Sequence, residues 1–275
     1  MVGSIEQLLG QSLADLKKSF LDQEQHASEG FLDALESDPR QGAKHLARQI
    51  RKRRLKNRQE GQRLHRLLKF ELQLWQEGLH LVAGVDEAGM APLAGPVVAA
   101  AVILPCNYKL RGLDDSKKIL DEQKRQDLAV QIKRDAVCWS VGRAEVEEID
   151  SLNIYRAGLL AMSRSVEGLN PKPEFILVDA RTIPHCSLPQ RGIIHGDALS
   201  ASIAAASLIA KTTRDEHMRE MDRIYAGYGF ASHKGYPSPQ HLQALKERGA
   251  LPIHRKSFAP VRQVLGLDPV QQELF

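Results

Sequence analysis

Two short apolar runs in this chain end in carboxylates, and this placement limits the folds open to the chain more than any other feature. Residues 81–85 lead directly into Asp86 and Glu87, and residues 175–178 lead into Asp179. A fourth acid, Asp197, stands at the start of a long helical pattern. Short apolar runs rich in β-branched residues are typical of buried strands, so we expect these acids at the edge of a folded core.

Buried carboxylates need a compensating charge, which gives the four acids one common interpretation. Hard divalent cations such as Mg²⁺ bind carboxylate oxygens, and four such groups can hold two ions for in-line attack on a phosphodiester. Each acid alone also has an ordinary interpretation as a turn former or a helix N-cap. The adjacent pair Asp86 and Glu87 fits that interpretation poorly, because neighbours on an extended chain point to opposite faces. The pattern therefore predicts a metal site.

The composition excludes several classes of protein. An apolar content of 43% is sufficient for a globular core. The three cysteines, Cys106, Cys138 and Cys186, form no CxxC pair, which argues against a disulfide framework and a zinc site. The longest apolar runs are far shorter than a membrane span. We therefore expect a cytoplasmic protein that is neither exported nor embedded in a membrane.

Positive charge is concentrated in one segment. Between Arg40 and Lys69, twelve Lys or Arg stand against the single acid Glu60, a net charge of +11, whereas the whole chain carries +4. The remainder therefore sums to −7, which suggests a negative enzyme body with a positive attachment. Such a segment predicts contact with a polyanion, although a basic helix can also be merely a solvated face.

The hydrophobic pattern divides the chain into two parts. Residues 1–77 have apolar residues at helical spacing, with Asp38-Pro39 as an N-cap and first helical residue, and we expect a basic all-helical extension. Residues 78–275 alternate between strand and helix patterns and are expected to form the catalytic domain. The predicted strands are 82–85, 97–104, 137–146 and 175–178, and the predicted helices are 123–134, 154–167 and 198–225.

Several motifs give the second part a family resemblance. Residues 84–89 read Gly-Val-Asp-Glu-Ala-Gly, and residues 92–102 read Pro-Leu-Ala-Gly-Pro-Val-Val-Ala-Ala-Ala-Val. This stretch resembles the opening signature of type 2 ribonucleases H, in particular bacterial ribonuclease HII. Further matches in the family's order are residues 115–118, 177–179, 196–198, 202–207, 210–211, 213–215, 233–236 and 254–258.

The resemblance implies a fold and an activity. The implied fold is α/β, a ribonuclease H-like mixed sheet flanked by helices, preceded here by a small all-α N-terminal domain. The implied activity is hydrolysis of RNA paired with DNA, with Asp86, Glu87, Asp179 and Asp197 binding two catalytic Mg²⁺ or Mn²⁺ ions. The expected partner is an RNA–DNA hybrid or duplex DNA that contains ribonucleotides, and we expect a monomer. Two alternatives stay open: a related nuclease for another duplex, and a hybrid-binding protein with poor turnover.

The resemblance also implies residues that contact the substrate. Lys117 is expected to contact a phosphate, the segment Gly89, Met90 and Ala91 to recognise a 2′-hydroxyl, and Tyr236 to pack on a sugar. On sequence alone, ordinary surface packing is the favoured interpretation of Tyr236, whereas aromatic stacking against nucleic acid is a common use of such a ring. His233, His254 and Arg255 could serve either the substrate or the structure.

The chain departs from the family pattern in two places. Met90 and Ala91 stand where the family usually has Arg-Gly, and Leu199 stands where Lys is common. If position 91 needs a left-handed backbone, its Cβ costs about 1–2 kcal/mol. We therefore expect a weaker preference for a single ribonucleotide embedded in DNA.

Overall fold

The computed structural model describes residues 5–23 and 25–267, which group into two compact units, residues 1–63 and 64–275. The first unit is helical, as predicted. Its elements are α1 (Ile5–Leu9), α2 (Leu13–Lys17) with a π-helical turn (Lys18–Asp22), α3 (Glu29–Ser37) and most of α4 (Gln41–Leu67). Ser12 and Ser28 cap α2 and α3 with their hydroxyls. Its core consists of Leu16, Phe20, Ala27, Phe31, Leu32, Leu35, Ala43, Leu46, Ala47 and Ile50.

The second unit has the mixed α/β architecture that the sequence predicts. Its further elements are α5 (Lys69–Gln76), β1 (Val82–Ala88), β2 (Val97–Ile103), α6 (Glu122–Asp135), β3 (Cys138–Ala144), α7 (Val146–Leu152), α8 (Ile154–Glu167), β4 (Phe175–Asp179), β5 (Gln190–Ile193), α9 (Gly196–Leu199), α10 (Ala201–Ile224), α11 (Phe230–His233), α12 (Pro239–Arg248) and α13 (Ala259–Val264). Among the described residues, no helix is both long and apolar enough to cross a membrane.

A five-stranded sheet in the order β3-β2-β1-β4-β5 places the acidic strand β1 at its centre. β1 pairs antiparallel with β2 and parallel with β4, so the ends of β1 and β4 that carry acids lie at the same edge. Helix α10 covers one face of the sheet and α8 covers the other. Gly84 allows α10 to approach closely, because a Cβ there would lie 2.0 Å from the backbone carbon of Ser202.

Helix α5 supplies a buried acid to the start of α10. One carboxylate oxygen of Glu71 accepts hydrogen bonds from the Ser200 hydroxyl, at 2.5 Å, and from the hydroxyl and backbone N–H of Ser202, at 2.6 and 2.9 Å. The side chain of Ser200 also caps α10 through the N–H of Ile203. A carboxylate at this position satisfies N–H groups that a helix start leaves without partners and complements the helix dipole.

The structure departs from the sequence predictions at several points. Asp38 is the C-cap of α3 and α4 begins at Gln41, so Asp38-Pro39 does not form the predicted N-cap and first helical residue. Strand β5 was not predicted, and the single helix expected over 198–225 is two helices that separate at Ser200. The compact units divide between Arg63 and Leu64, within α4, so that α5 belongs to the second unit. A domain boundary at residue 77 stays a prediction from sequence.

Candidate active site

Three of the four predicted acids converge at the sheet edge. Carboxylate oxygens of Asp86, Asp179 and Asp197 all lie within 4.8 Å of one another, and among the described residues this is the only group of three or more acidic, histidine or cysteine side chains so arranged. Asp86 lies on β1, Asp179 is the last residue of β4, and Asp197 lies on α9. The N–H of Gly196 donates to Oδ1 of Asp179 at 2.7 Å and so connects α9 to β4.

The electrostatics of this cluster are unfavourable without a cation. Burial, with the nearby charges of Glu87 and Asp179, raises the pKa of Asp86 well above its ordinary value of 3.8. Burial likewise raises the pKa of Asp179, although the hydrogen bond from Gly196 opposes the change. Like charges held together in a buried place are more typical of an ion-binding site than of a structural ion pair.

Glu87 lies on the other face of the central strand. Because side chains alternate along a strand, Asp86 faces α10 and Glu87 faces α8. The nearest cation is Arg181, whose Nη1 lies 3.6 Å from Oε1 of Glu87. Burial raises the pKa of Glu87, and the charge of Arg181 opposes that increase. Glu87 is therefore not one of the three converging side chains, although its charge is close enough to raise the pKa of Asp86, and its role as a metal ligand stays a prediction.

Lys117 reaches the cluster from the loop between β2 and α6. Its Nζ lies 3.2 Å from Oδ2 of Asp197, while 79% of its side chain is exposed. Burial lowers the pKa of Lys117, but pairing with Asp197 outweighs this effect and leaves the pKa above 10.5. The hydroxyls of Ser116 and Ser207, 2.9 Å apart, hold the lysine loop against α10. Lys117 is therefore a cation beside the acids with its side chain accessible to solvent.

Two buried arginines hold the loop that follows β1. Arg214 on α10 donates to the carbonyls of Ala94, Pro96 and Lys234 at 2.9–3.1 Å. Arg255 donates to the carbonyls of Gly89, Met90 and Gly95 at 2.6–3.2 Å. Burial lowers the pKa of Arg214 to about 10 and that of Arg255 to about 9. These side chains fix the backbone of the segment to which the resemblance assigns 2′-hydroxyl recognition.

The backbone of this segment corrects one sequence expectation. Gly89 has φ +98°, and a Cβ there would lie 2.3 Å from Nε of Arg214, so glycine is required. Ala91 is exposed and does not have a positive φ. The premise of left-handed strain at Ala91 is therefore wrong. What distinguishes the segment from the family pattern is the neutral Met90.

Tyr236 lies in a loop that is fixed by a chain of histidines. Its side chain is exposed, while its backbone carbonyl lies 2.9 Å from Nδ1 of His241. Nε2 of His241 lies 3.0 Å from Nε2 of His254, and Nδ1 of His254 accepts the N–H of Leu251 at 2.8 Å. These contacts assign the tautomers, so that His254 donates to His241, which donates to Tyr236. Burial lowers the pKa of His254 to about 4, and both histidines act as neutral structural groups.

The two loops are joined to each other. The N–H of Leu93 donates to the carbonyl of Gly235 at 2.8 Å, and Arg214 bridges Ala94 and Lys234. Sequence reasoning did not assign these roles to Arg214 and Arg255. A buried arginine that binds distant carbonyls leaves no local signal, except that each falls within a motif that the family shares.

Several cations of the basic segment, residues 40–69, already have partners within the first unit, so fewer of them are available to a polyanion than the composition indicates. Within the described residues, Arg40, Arg51, Arg53, Arg54 and Arg63 contact acids or carbonyls of the first unit. Arg51 alone pairs with Glu29, Asp33 and Glu36, at 2.6–3.1 Å. Arg48, Lys52 and Lys56 are exposed at four-residue spacing, about 6 Å apart along α4, and no ion pair is found for these three among residues 5–23 and 25–267.

The distribution of negative charge also differs from the sequence interpretation. Residues 1–39 contain two Lys against eight Asp or Glu, a net charge of −6, whereas residues 70–275 contain 24 Lys or Arg against 25 Asp or Glu. The negative charge that balances the basic segment thus lies mainly in the helices packed beside it. The interpretation of a negative enzyme body with a positive attachment was therefore wrong, because residues 70–275 are close to neutral.

Comparisons with known proteins identify relatives over nearly the full length. The family model described as ribonuclease HII matches residues 83–261, and the model described as ribonuclease HII N-terminal domain matches residues 12–75. The chain is 63% identical to ribonuclease HII of Myxococcus xanthus (strain DK1622) over 99% of this chain and 95% of that protein. It is 50% identical to ribonuclease HII of Geobacillus thermodenitrificans (strain NG80-2) over 86% of this chain and 90% of that protein.

Solved structures share the fold of the second unit. The ribonuclease H2 from Pyrococcus horikoshii OT3 superposes with a TM-score of 0.58 at 26% identity, covering 66% of this chain and 96% of that chain. RNase HII in the PCNA:RNase HII complex from Archaeoglobus fulgidus gives a TM-score of 0.57 at 27% identity, covering 66% of this chain and 97% of that chain.

Proposed function

The chain belongs to the ribonuclease HII family, and from this premise we infer that its acidic site hydrolyses the RNA strand of RNA–DNA hybrids. It is a metal-dependent endoribonuclease. The observation that carries the inference is the convergence of Asp86, Asp179 and Asp197 from three separate elements. Two of the three aspartates are buried and Asp179 is half-buried. A phosphodiesterase needs such carboxylates at one place to hold divalent cations.

The residues present fit such cations. Carboxylate oxygens are hard donors, the three aspartates lie within 4.8 Å, and Oε2 of Glu87 is buried without a hydrogen-bond partner among the described residues. We propose two Mg²⁺ or Mn²⁺ ions, held by the three aspartates with Glu87 from the opposite face. The ions would supply activation of the attacking water and stabilisation of the leaving 3′-oxygen.

The other side chains position the substrate in this proposal. The exposed Lys117 can exchange its contact with Asp197 for a substrate phosphate when cations neutralise the acids. Gly89, Met90 and Ala91 offer a backbone fixed by Arg255 to the 2′-hydroxyl, and the exposed ring of Tyr236 packs on the neighbouring sugar. The support is geometric: the arginines and the joined loops hold these groups rigidly.

A substrate panel tests the proposed function. With Mg²⁺, the protein should turn over a labelled RNA–DNA hybrid many times and leave 5′-phosphate and 3′-hydroxyl ends. RNA–RNA duplex and duplex DNA without ribonucleotides should be cleaved far more slowly. Single-turnover behaviour on the hybrid would instead indicate a binding protein, and faster cleavage of another duplex would indicate a different nuclease.

The first unit is proposed to contact nucleic acid through the exposed face of α4. Arg48, Lys52 and Lys56 support this, because their spacing presents a row of cations without carboxylate partners in the described part of the chain. The paired arginines instead hold α4 to its own unit. The chemistry itself does not need this contact.

We propose a cytoplasmic monomer that also binds a counterpart of PCNA. The free cysteines fit a reducing compartment, and the Archaeoglobus relative is known in a PCNA:RNase HII complex. Residues 271–275, which lie outside the described residues, read Gln-Gln-Glu-Leu-Phe, and adjacent Leu274 and Phe275 are suitable anchors for an apolar pocket. Binding of the host's PCNA counterpart should be lost on changing Leu274 and Phe275 to Ala, while cleavage of a short hybrid is retained. Light scattering checks the monomer.

A further inference from the structure

Arg181, which has no role in the proposed function so far, lies beside Met90. Gly89, Met90 and Ala91 contain no charged side chain. The side chain of Arg181, two residues after Asp179, lies near the side chain of Met90. A Cβ built on Gly158 of α8 would lie 3.0 Å from Sδ of Met90 and 3.3 Å from Nη1 of Arg181. The two side chains therefore flank one point of α8, next to the acidic site.

Arg181 is held in place without satisfying its donors. Its guanidinium carbon lies 5.0 Å above the ring of Tyr155, which is 53% exposed. Nη1 is buried and has no hydrogen-bond partner among the described residues, and its 3.6 Å separation from Glu87 is longer than a hydrogen bond. Stacking thus orients the guanidinium group. Its Nη1 is enclosed, but 23% of the Arg181 side chain is exposed, and this exposed part is open to a ligand.

Arg164 of the same unit shows the geometry of an arginine that is fully paired with a carboxylate. Arg164 binds both carboxylate oxygens of Glu148 at 2.7 and 2.8 Å, which is the usual forked geometry. Arg181 lacks this geometry although a carboxylate is within reach. A cation that stacks, remains under-bonded and lies beside the metal ligands is suited to a phosphate oxygen, which accepts the same forked hydrogen bonds.

We propose that Arg181 binds a backbone phosphate of the hybrid next to the Gly89 to Ala91 segment and so helps to select the cleaved step. Glu87 and the ring of Tyr155 position the guanidinium until the substrate arrives. This inference rests on the proposed function and adds a specificity-determining residue to it.

The decisive measurement is the salt dependence of hybrid binding without cleavage. Binding is followed by fluorescence anisotropy for full-length protein carrying Asp86→Asn, with EDTA present. Adding Arg181→Met should flatten the log-log salt slope by about 0.7–0.9, the contribution of one phosphate contact, and weaken affinity. Arg181→Lys should retain the slope, because it keeps the charge. Arg191→Met is the matched control, since Arg191 also stacks at 5.0 Å, over Phe70, and this change should leave the slope intact.

A rescue experiment tests the location of the contact. In the Arg181→Met background, Met90→Arg places a cation on the other side of Gly158 and should restore the slope and the kcat/KM ratio between embedded-ribonucleotide and longer hybrid substrates. An unchanged slope in Arg181→Met, with kcat lowered equally on every substrate, would overturn the proposal and make Arg181 a support for Glu87. If the otherwise unmodified protein neither binds nor cleaves hybrids, the proposed function itself fails.

Discussion

The acidic cluster and the basic helix α4 are both dense in charge, but the fold treats the two regions in opposite ways. Asp86, Asp179 and Asp197 are like charges held together, and Lys117 is the one cation that contacts them through an ion pair in the described structure. On α4, by contrast, Arg51 alone contacts three carboxylates. The three aspartates therefore have one cation among them in the described structure, whereas the charge of Arg51 on α4 is neutralised by carboxylates of its own unit.

The difference shows that burial and pairing determine what a charged segment does, whereas counting charge does not. Net charge alone marks α4 as a nucleic-acid contact, but several of its cations are paired within their own unit. The cluster adds little to the net charge, but its raised pKa at Asp86 marks an energetic conflict that a cation resolves. Conflict of this kind is typical of functional sites.

The largest expected effect is the loss of cleavage when one carboxylate of the aspartate cluster is removed. Asp86→Asn should reduce cleavage of a hybrid by at least about 10³-fold, which is about 4 kcal/mol of transition-state stabilisation. The same change should raise the free energy of unfolding of the metal-free protein by on the order of 1 kcal/mol, because it removes like-charge repulsion. Cleavage is followed by gel assay with Mg²⁺, and stability by thermal unfolding in EDTA.

The opposite changes in activity and stability are the informative part of this test. Added Mg²⁺ should raise the melting temperature of the natural protein more than that of Asp86→Asn. Asp115→Asn, in the neighbouring loop outside the aspartate cluster, is the control and should show no gain in stability. Near-normal turnover by Asp86→Asn would exclude Asp86 from the mechanism.

The second prediction separates the two faces of α4. Replacing Arg48, Lys52 and Lys56 by Gln should flatten the salt slope of hybrid binding by up to about 2.7, about 0.9 for each phosphate contact. The paired Arg51→Gln should leave that slope unchanged. Both variants are measured by anisotropy titration at several salt concentrations. Equal slopes for all three proteins would make α4 a structural or protein-binding helix.

The third prediction concerns the paired face. Arg51→Gln should lower the free energy of unfolding of the first unit only slightly, because its three partners are largely exposed and screened by water. Hydrogen exchange of amides in α3 reports this unit separately. The exposed Lys52→Gln should leave the exchange of α3 unchanged, and a loss of protection there would mean that α4 is held by more than its paired arginines.

The smallest expected effect concerns how stability changes with pH, because Asp38 and Asp86 should contribute changes of opposite sign. The hydrogen bond from Arg40 lowers the pKa of Asp38 to about 2, so its contribution to stability is present above pH 3.8 and is lost as the pH falls towards 2. The pKa of Asp86 is raised by burial, so without metal the stability associated with it falls as the pH rises above 3.8. Carboxyl-carbon NMR titration in EDTA should place the two groups on opposite sides of 3.8. Coincident titrations would remove the contrast between the regions.

Local sequence predicted the strands that carry the acids because the signal is local. Apolar runs ending at Asp86 and Asp179 require no long-range knowledge, whereas the role of Glu87 as a fourth metal ligand stays a prediction. Strand β5 was missed because its four residues, Gln-Arg-Gly-Ile, contain one apolar side chain. The break at Ser200 was readable as an N-cap, but the continuous run of small residues after it concealed the break.

The supports of the site were largely beyond sequence reasoning. Arg214 and Arg255 bind carbonyls more than 100 residues away in the β1–β2 loop, and no spacing rule connects such partners. Net charge was misread for a related reason, because composition does not show which acids fold against which bases. A motif in the sequence points to side chains that function beside their own neighbours, such as Asp86 after its apolar run. Side chains that hold the backbone of a distant segment, such as Arg214 and Arg255, are found only in the folded structure.

The contact of Glu71 with the start of α10 has a practical consequence for dissecting the molecule. A fragment that began at residue 78, where the sequence suggests a boundary, would lack the acceptor for Ser200 and Ser202. Those residues follow directly on the short helix that carries Asp197, so such a fragment would be expected to lose metal affinity for reasons unrelated to nucleic-acid binding by the removed part. A truncation that separates the two activities therefore has to retain residues 64–77 with the catalytic unit.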